Sequence, residues 1–301
     1  KLVVQREQEI EDFLPEEYWD VLADTTTLNA KGKKIALKAR LVAQDGKKAV
    51  IHTEAEAKAA KERILQSHFS VAAMKSAEKL KRAQPPFTTS SLQQEASRKL
   101  NFSTAKTMQV VQQLYEGVDV GKGTVGLVTY IRTDSVRVSA EAVEAVRQRI
   151  QAMYGADYCP AKPNEYKGRK NAQDAHEAIR PTDVELHPDQ VKGHLTREQY
   201  SLYRLIYNRF MASQMKPAVF ETVTLELAGR KKNDITPLDA ADRKGVTELR
   251  YYGEHNTFAG YRAVYIESED DDTEEPETAM PDVKEGDEIA IDIPSRKIDL
   301  C

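Results

Sequence analysis

The order of patterns along the 301 residues predicts a multi-domain α and β protein, with a helical domain inserted into a discontinuous β-rich domain. Three observations carry that expectation. Strand-like alternation fills residues 16–82, helical periodicity with capping signals fills 83–216, and strand patterns return over 217–301. No internal repeat interrupts this order.

Residues 1–15, "KLVVQREQEIEDFLP", read as an amphipathic helix from a preceding domain, not as a signal peptide. In the first β-rich part, Ile35, Leu37, Ala39 and Leu41 alternate with period 2, and Asp45-Gly46 is a hairpin signal. Thr53 with Glu56 three residues on forms a capping-box pattern that opens a helix to about Ser67, and "HFSVAAMK" reads as a short strand. Pro85-Pro86 then stops regular structure, and the Thr/Ser cluster caps a helix over about Leu92–Leu100. Met108, Val111 and Leu114 mark a second helix, Ala105 to Tyr115, closed by Gly117.

Ser139 caps a third helix with Val143, Val146, Ile150 and Met153 on one face. Residues 155–195 read as loops, interrupted by a helical "AQDAHEAIR". Thr196 with Gln199 opens a long helix to about Gln214. After Pro217, "VFETVTLELAG", "TELRYYGE", "YRAVYIE" and "DEIAIDI" read as strands, with the acidic run 267–278 as a solvated loop.

Composition narrows the classes. No apolar run approaches the roughly 18–20 residues of a membrane span, and Cys159 and Cys301 have no CxxC spacing that suggests zinc or a disulfide framework. A cytoplasmic protein is the default expectation. The net charge of −4 hides a segregation: residues 267–288 carry twelve acidic side chains and one lysine, about −11, leaving about +7 elsewhere. Residues 58–110 hold ten Lys/Arg against three Glu, a surface suited to a polyanion or simply a solvated one.

Chemistry concentrates in three places. In "GLVTYIRTDSVRVS" (126–139), Tyr130 is a phenol that needs its anion stabilised before it can act as a nucleophile. Arg132 falls on the same side if the segment is extended, Asp134 is placed to orient that arginine, and Thr129, Thr133 and Ser135 can donate to phosphate oxygens. The spacing by itself favours a packed tyrosine beside a surface arginine. In "NAQDAHEAIRPTD" (171–183), His176 in a helical turn with Glu177 beside it and Arg180 four residues on can meet one phosphate, or can be a structural pair. In "QPPFTTSSLQQEASRKL" (84–100), a helix N-terminus rich in hydroxyls, followed by Gln93, Gln94, Arg98 and Lys99, can hold a nucleic-acid backbone or be a capped surface helix. Neither a Walker loop nor a GxGxxG is present, so a nucleoside triphosphate is not indicated.

Taken in order, "QPPFTTSSLQQEASRKLNFSTAKTMQVVQQLYEG", "GLVTYIRTDSVRVSAEAV" and "QDAHEAIRPTDV" resemble the motifs of bacterial type IA DNA topoisomerases. The resemblance runs from about Val3 to about Gln214 and more loosely to about Glu267, while "DIPSRKIDLC" matches nothing expected. It implies the core fold of that family, with 16–82 and 217–301 as a gate, or arch, and 83–216 as the tyrosine-bearing domain.

It also implies Tyr130 as the nucleophile that forms a 5′-phosphotyrosine, Arg132 and His176 as catalytic groups at the phosphate, and Thr129, Thr133 and Asp134 as supporting members. Ser90, Ser91, Gln93, Gln94, Arg98, Lys99, Glu177 and Arg180 are then expected to contact single-stranded or negatively supercoiled DNA. The magnesium of the family is expected from ligands in a toprim domain ahead of Lys1, with none in this chain. A monomer that does not relax supercoils by itself is expected. The rivals are a non-catalytic single-strand-binding module and a tyrosine recombinase, the latter disfavoured because Tyr130 precedes His176 and Arg180.

Overall fold

Alternating burial along residues 34–44, with Leu37, Ala39 and Leu41 inside and Lys38 and Arg40 outside, gives one strand a dry and a wet face. That pattern sets the architecture of the first of two units in the computed structural model, which describes residues 1–28, 34–121, 123–168, 176–234, 243–265 and 280–291. The early elements are α1 (Leu2–Glu11), β1 (Leu22–Leu28), β2 (Lys34–Gln44), β3 (Lys47–Lys48), α2 (Glu54–Leu65) and β4 (Ser67–Lys81). Next come α3 (Thr89–Leu100), α4 (Thr104–Glu116), β5 (Val118–Asp119), β6 (Thr124–Val125) and α5 (Ala140–Tyr154). The later ones are α6 (Pro188–Val191), α7 (Arg197–Ser213), β7 (Ala218–Lys231), β8 (Thr247–Phe258) and β9 (Glu288–Ile291).

The β-rich unit takes residues 1–78, 221–255 and 280–291. Its strands pair in the order β1-β9-β4-β7-β8-β2-β3, and β1 also pairs antiparallel with β2, closing a ring that leaves β3 as a hairpin extension. Leu37, Ala39, Phe69, Val71, Val223, Leu225, Leu249 and Ile289 fill the inside together with Ala57, Ala60 and Ile64 of α2. The β2–β3 turn has positive φ at both Asp45 (54°) and Gly46 (73°), the type I′ geometry whose twist matches the flanking strands. Arg63 donates twice to the Asp45 carboxylate (2.7 and 2.9 Å), which holds that carboxyl well below its usual range, at about 2.

The helical unit takes residues 79–220 and 256–265. Helices α3, α4, α5 and α7 share a core of Leu92, Val111, Leu114, Leu127, Ile150, Leu202, Ile206 and Phe210. The two α7 phenols inside it are satisfied: Tyr203 donates to the Leu186 carbonyl (2.7 Å) and Tyr207 to that of Val184 (2.8 Å). Full capping boxes open α2 at Thr53, α3 at Thr88 and α7 at Thr196.

Several expectations are corrected. The "AQDAHEAIR" segment is not helical over its described residues 176–180 (171–175 lie outside the described set). Ile179 bridges Phe87 and Pro181 bridges Val128, so the backbone groups that a helix would use are engaged across the fold. Over its described residues 261–265, "YRAVYIE" is not a strand but opens in a 3-10 turn at Gly260–Ala263, and Tyr261 and Tyr265 enter the helical core (266 and 267 lie outside the described residues). Gly260 makes that turn possible: φ is 51°, and a Cβ there would meet the Pro217 carbonyl at 2.3 Å. Residues 256–265 therefore belong with the helical unit rather than with the β-rich return.

Strand β4 is longer than "HFSVAAMK", with Glu78–Leu80 exposed. Met153, in the last turn of α5, lies past the core and is exposed, and no residue of α1 is buried. The acidic run 267–278 lies outside the described residues. None of the described helices is long and apolar enough to cross a membrane.

Candidate nucleic-acid site around Tyr130

Residues 129–135 bend at Ile131 and Arg132 and alternate in burial. Ile131, Thr133 and Ser135 point inward, whereas Tyr130, Arg132 and Asp134 are exposed on the other side. The spacing argument for Tyr130 and Arg132 thus describes the local geometry, although β6 ends at Val125 and the segment belongs to no ladder. Its shape comes from straps on both sides.

On one side is the start of α3. Thr89 N–H donates to the Thr133 carbonyl (2.9 Å), while Thr89 Oγ1 donates to the Ile131 carbonyl (2.7 Å) and accepts from Thr133 N–H (2.9 Å). Thr133 Oγ1 then accepts from Ser135 N–H (3.0 Å) and Ser135 Oγ from Arg137 N–H (3.2 Å), a run of hydroxyls that replaces sheet partners. On the other side is 176–182. Thr129 N–H donates to the Arg180 carbonyl (2.9 Å), Thr129 Oγ1 donates to that of Ala178 (2.7 Å) and accepts from Arg180 N–H (3.0 Å), and Thr182 N–H donates to that of Leu127 (3.0 Å). Ile179 N–H reaches the Phe87 carbonyl (2.8 Å), which ties the third segment to the first. The three sequence motifs therefore meet.

Tyr130 is 40% exposed and held between two rings. His176 lies at 5.1 Å between centroids, tilted by 39°, and Tyr115 meets it edge-on at 5.7 Å. Arg132 and Asp134 have no hydrogen-bond or ion-pair partner among the described residues, so the expected orientation of Arg132 by Asp134 is not found. Arg180 is the opposite case. Its guanidinium donates to Glu177 (2.8 Å, with a second nitrogen at 2.6 Å) and to the Pro181 carbonyl (2.9 Å), and lies 6.0 Å from the Phe210 ring.

Of the remaining expected contacts, Ser91 is engaged in the α3 capping box with Thr88, and Ser90 is an exposed hydroxyl near Thr88 Oγ1 (3.3 Å). Gln93 is half-buried; Gln94 and Arg98 are exposed. Lys99 lies over the Tyr265 ring (5.1 Å), 3.9 Å from Glu95, and about 15 Å of helix separates it from Thr89. Arg98 and Lys99 are therefore not gathered around Tyr130. Sequence reasoning missed Thr89 and Tyr115. The signal for Thr89 was a run of four hydroxyls, more than one helix cap requires. Nothing local distinguished Tyr115.

Three comparisons bear on this arrangement. Residues 1–298 match the model of a family described as DNA topoisomerase. The chain is 41% identical over 287 residues to DNA topoisomerase 1 of Rickettsia bellii, covering 95% of this chain and 34% of that protein. It is 41% identical over 291 residues to the namesake of Rickettsia prowazekii, covering 96% and 36%. The solved full-length topoisomerase I of Thermotoga maritima superposes with a TM-score of 0.71 at 32% identity, over 96% of this chain and 42% of that one. The chain thus spans about a third of the length of the curated relatives it matches. With its three motifs in order, a family match along nearly its whole length and a shared core fold, this chain belongs to the bacterial type IA DNA topoisomerases.

Proposed function

We propose that this chain supplies the nucleophile of a DNA topoisomerase I reaction. The Tyr130 phenol oxygen attacks a phosphodiester of single-stranded DNA. An O–P bond to tyrosine forms as the bond from phosphorus to the 3′-oxygen breaks. The phenol gives up its proton and the leaving oxygen takes one, becoming a 3′-hydroxyl. The other strand passes the gap, and the 3′-hydroxyl reverses the step, relaxing negative supercoils. One ester is exchanged for another, so no nucleoside triphosphate is consumed.

Arg132, exposed beside Tyr130 without a competing partner among the described residues, holds the phosphate and stabilises the charge that grows on it. His176 donates a hydrogen bond to the same phosphate, and Thr129 and Thr133 fix the backbone that carries the phenol. Asp134, Ser90, Ser91, Gln93 and Gln94 border the strand's path near the positive end of α3. Arg98 and Lys99 extend it along that helix, and Glu177 and Arg180 brace its other wall. Among the described residues no group of three or more His, Cys, Asp or Glu is arranged to hold a metal ion.

The observation that carries this reading is the half-exposed Tyr130 against His176, fixed by straps from two distant segments. The test is a denaturing gel of the chain with a separately made toprim domain, magnesium and a single-stranded oligonucleotide labelled at its 3′ end. A covalent adduct that disappears in Tyr130→Phe is expected. An adduct that survives the substitution would exclude Tyr130. Binding with no adduct at any magnesium concentration would favour a non-catalytic single-strand-binding module.

A further inference from the structure

We propose that the wet face of the β-rich unit carries a second site for a short stretch of single-stranded DNA, built from none of the residues around Tyr130. A cavity of about 680 Å³ opens there, lined among others by Trp19, Lys38, Arg40, Lys48, Arg250 and Tyr252. Four of those lining residues are cations, and the single carboxylate, Asp20, is already paired with Arg40. Four cations against one carboxylate leave the wall positive, and a concave positive wall focuses its field on an anion.

The pairing of the strands makes the case stronger. Arg40 on β2 and Arg250 on β8 are direct cross-strand partners, and like charges in that position destabilise a sheet. Nothing in the strand pattern demands them, because an exposed position between β-strands accepts threonine or tyrosine as readily. Among the described residues their paired carboxylates are Asp20 and, at 3.7 Å, Glu226, and the two arginine side chains stay 58% and 52% exposed. Lysines on β3 are explained by its place at the end of the sheet, where charge discourages edge pairing, but Arg40 and Arg250 lie within it.

Tyr252 shares the outer face with Arg250, two residues along the strand, and is 48% exposed. Cations for phosphates beside an aromatic ring for a base are the recognition elements of sequence-tolerant single-strand binding. The phosphates of the strand meet Arg40, Arg250, Lys38 and Lys48, and a base stacks on Tyr252. This rests on DNA as the substrate class of the chain, not on the role of Tyr130.

The test is a fluorescence-anisotropy titration of the chain with labelled oligothymidylate across a salt series. In the Lys48→Gln/Arg250→Gln double variant, the slope of log affinity against log salt should fall by about 1.4, and affinity at 0.1 M salt by about fivefold per lost contact. Tyr252→Ser should weaken oligothymidylate by at least about fivefold and leave an abasic strand of equal length unaffected. Tyr130→Phe should not move the salt slope, and adduct formation at saturating DNA reports on Tyr130 separately. Unchanged affinity and slope in the double variant would overturn the site. A thermal melt of that variant should show no loss of stability, and a marked loss would remove the like-charge argument.

Discussion

The two segments that cross at Tyr130 each carry an arginine and treat it in opposite ways. Arg132 lies on a stretch whose backbone is held by threonine hydroxyls, so its side chain is free of structural duty among the described residues. Arg180 lies on the partner stretch, 12% exposed, locked to Glu177 and to its neighbour's carbonyl. The hydroxyls make the difference: where Thr89, Thr129 and Thr133 satisfy the backbone, a charged side chain can be left for a substrate. Where an arginine itself closes the loop, it stabilises the fold.

The largest effect expected of this contrast is on chemistry. Arg132→Ala should slow adduct formation by about 10²–10³ while shifting stability by less than about 0.5 kcal/mol, as single-turnover kinetics and a urea melt would report. Equal damage to both quantities would erase the contrast. Arg180→Ala should do the reverse, costing about 2 kcal/mol of stability because the partly buried Glu177, 24% exposed, loses its charged hydrogen-bond donor. The double variant with Glu177→Ala should recover part of that loss; a simple sum of the two single effects would show that they do not act as a pair.

Smaller effects probe the supports. Thr89→Val removes a hydroxyl that both donates and accepts within the strap and should cost about 2 kcal/mol, with adduct formation reduced because the Tyr130 segment loosens. Retained adduct rate at reduced stability would mean that Thr129 and the 176–182 segment hold Tyr130 without Thr89.

The smallest effect lies in the β2–β3 turn. Asp45→Asn keeps the turn chemistry but loses the Arg63 pair, and should cost about 1 kcal/mol near neutral pH after allowing for solvent screening. Because the Asp45 carboxyl is depressed from 3.8 to about 2, its contribution is full above pH 3.8 and fades as pH falls toward 2. The Asn variant should therefore show a flatter acid limb over that interval, and an unchanged limb would rule out the pair as its source.

Much of the fold was legible because local physics produced it. Thr53-Glu56 and Thr196-Gln199 announced two helix starts, Asp45-Gly46 a primed turn, and alternation from Ile35 to Leu41 a half-buried strand. Misreadings fell where distant partners outweighed local preference. The residues 176–180 suit a helix, yet Phe87, Thr129 and Arg137 take their backbone groups; "YRAVYIE" suits a strand, yet Gly260 turns the chain so that two tyrosines reach a core.

The sequence by itself therefore determined the period and capping of most elements, the three motifs, their order and the side of the segment on which Tyr130 and Arg132 stand. These depend on residues a few positions apart, where spacing translates directly into geometry. Only the tertiary structure decided that His176 and Tyr115 flank Tyr130, that Arg180 is bound to the fold while Arg132 is not, and that Arg40 faces Arg250 across a sheet. The ring contacts at Tyr130 and the Arg40–Arg250 pairing join residues about fifteen to two hundred positions apart, and no local periodicity records which of many polar side chains will meet once loops close and strands choose their register.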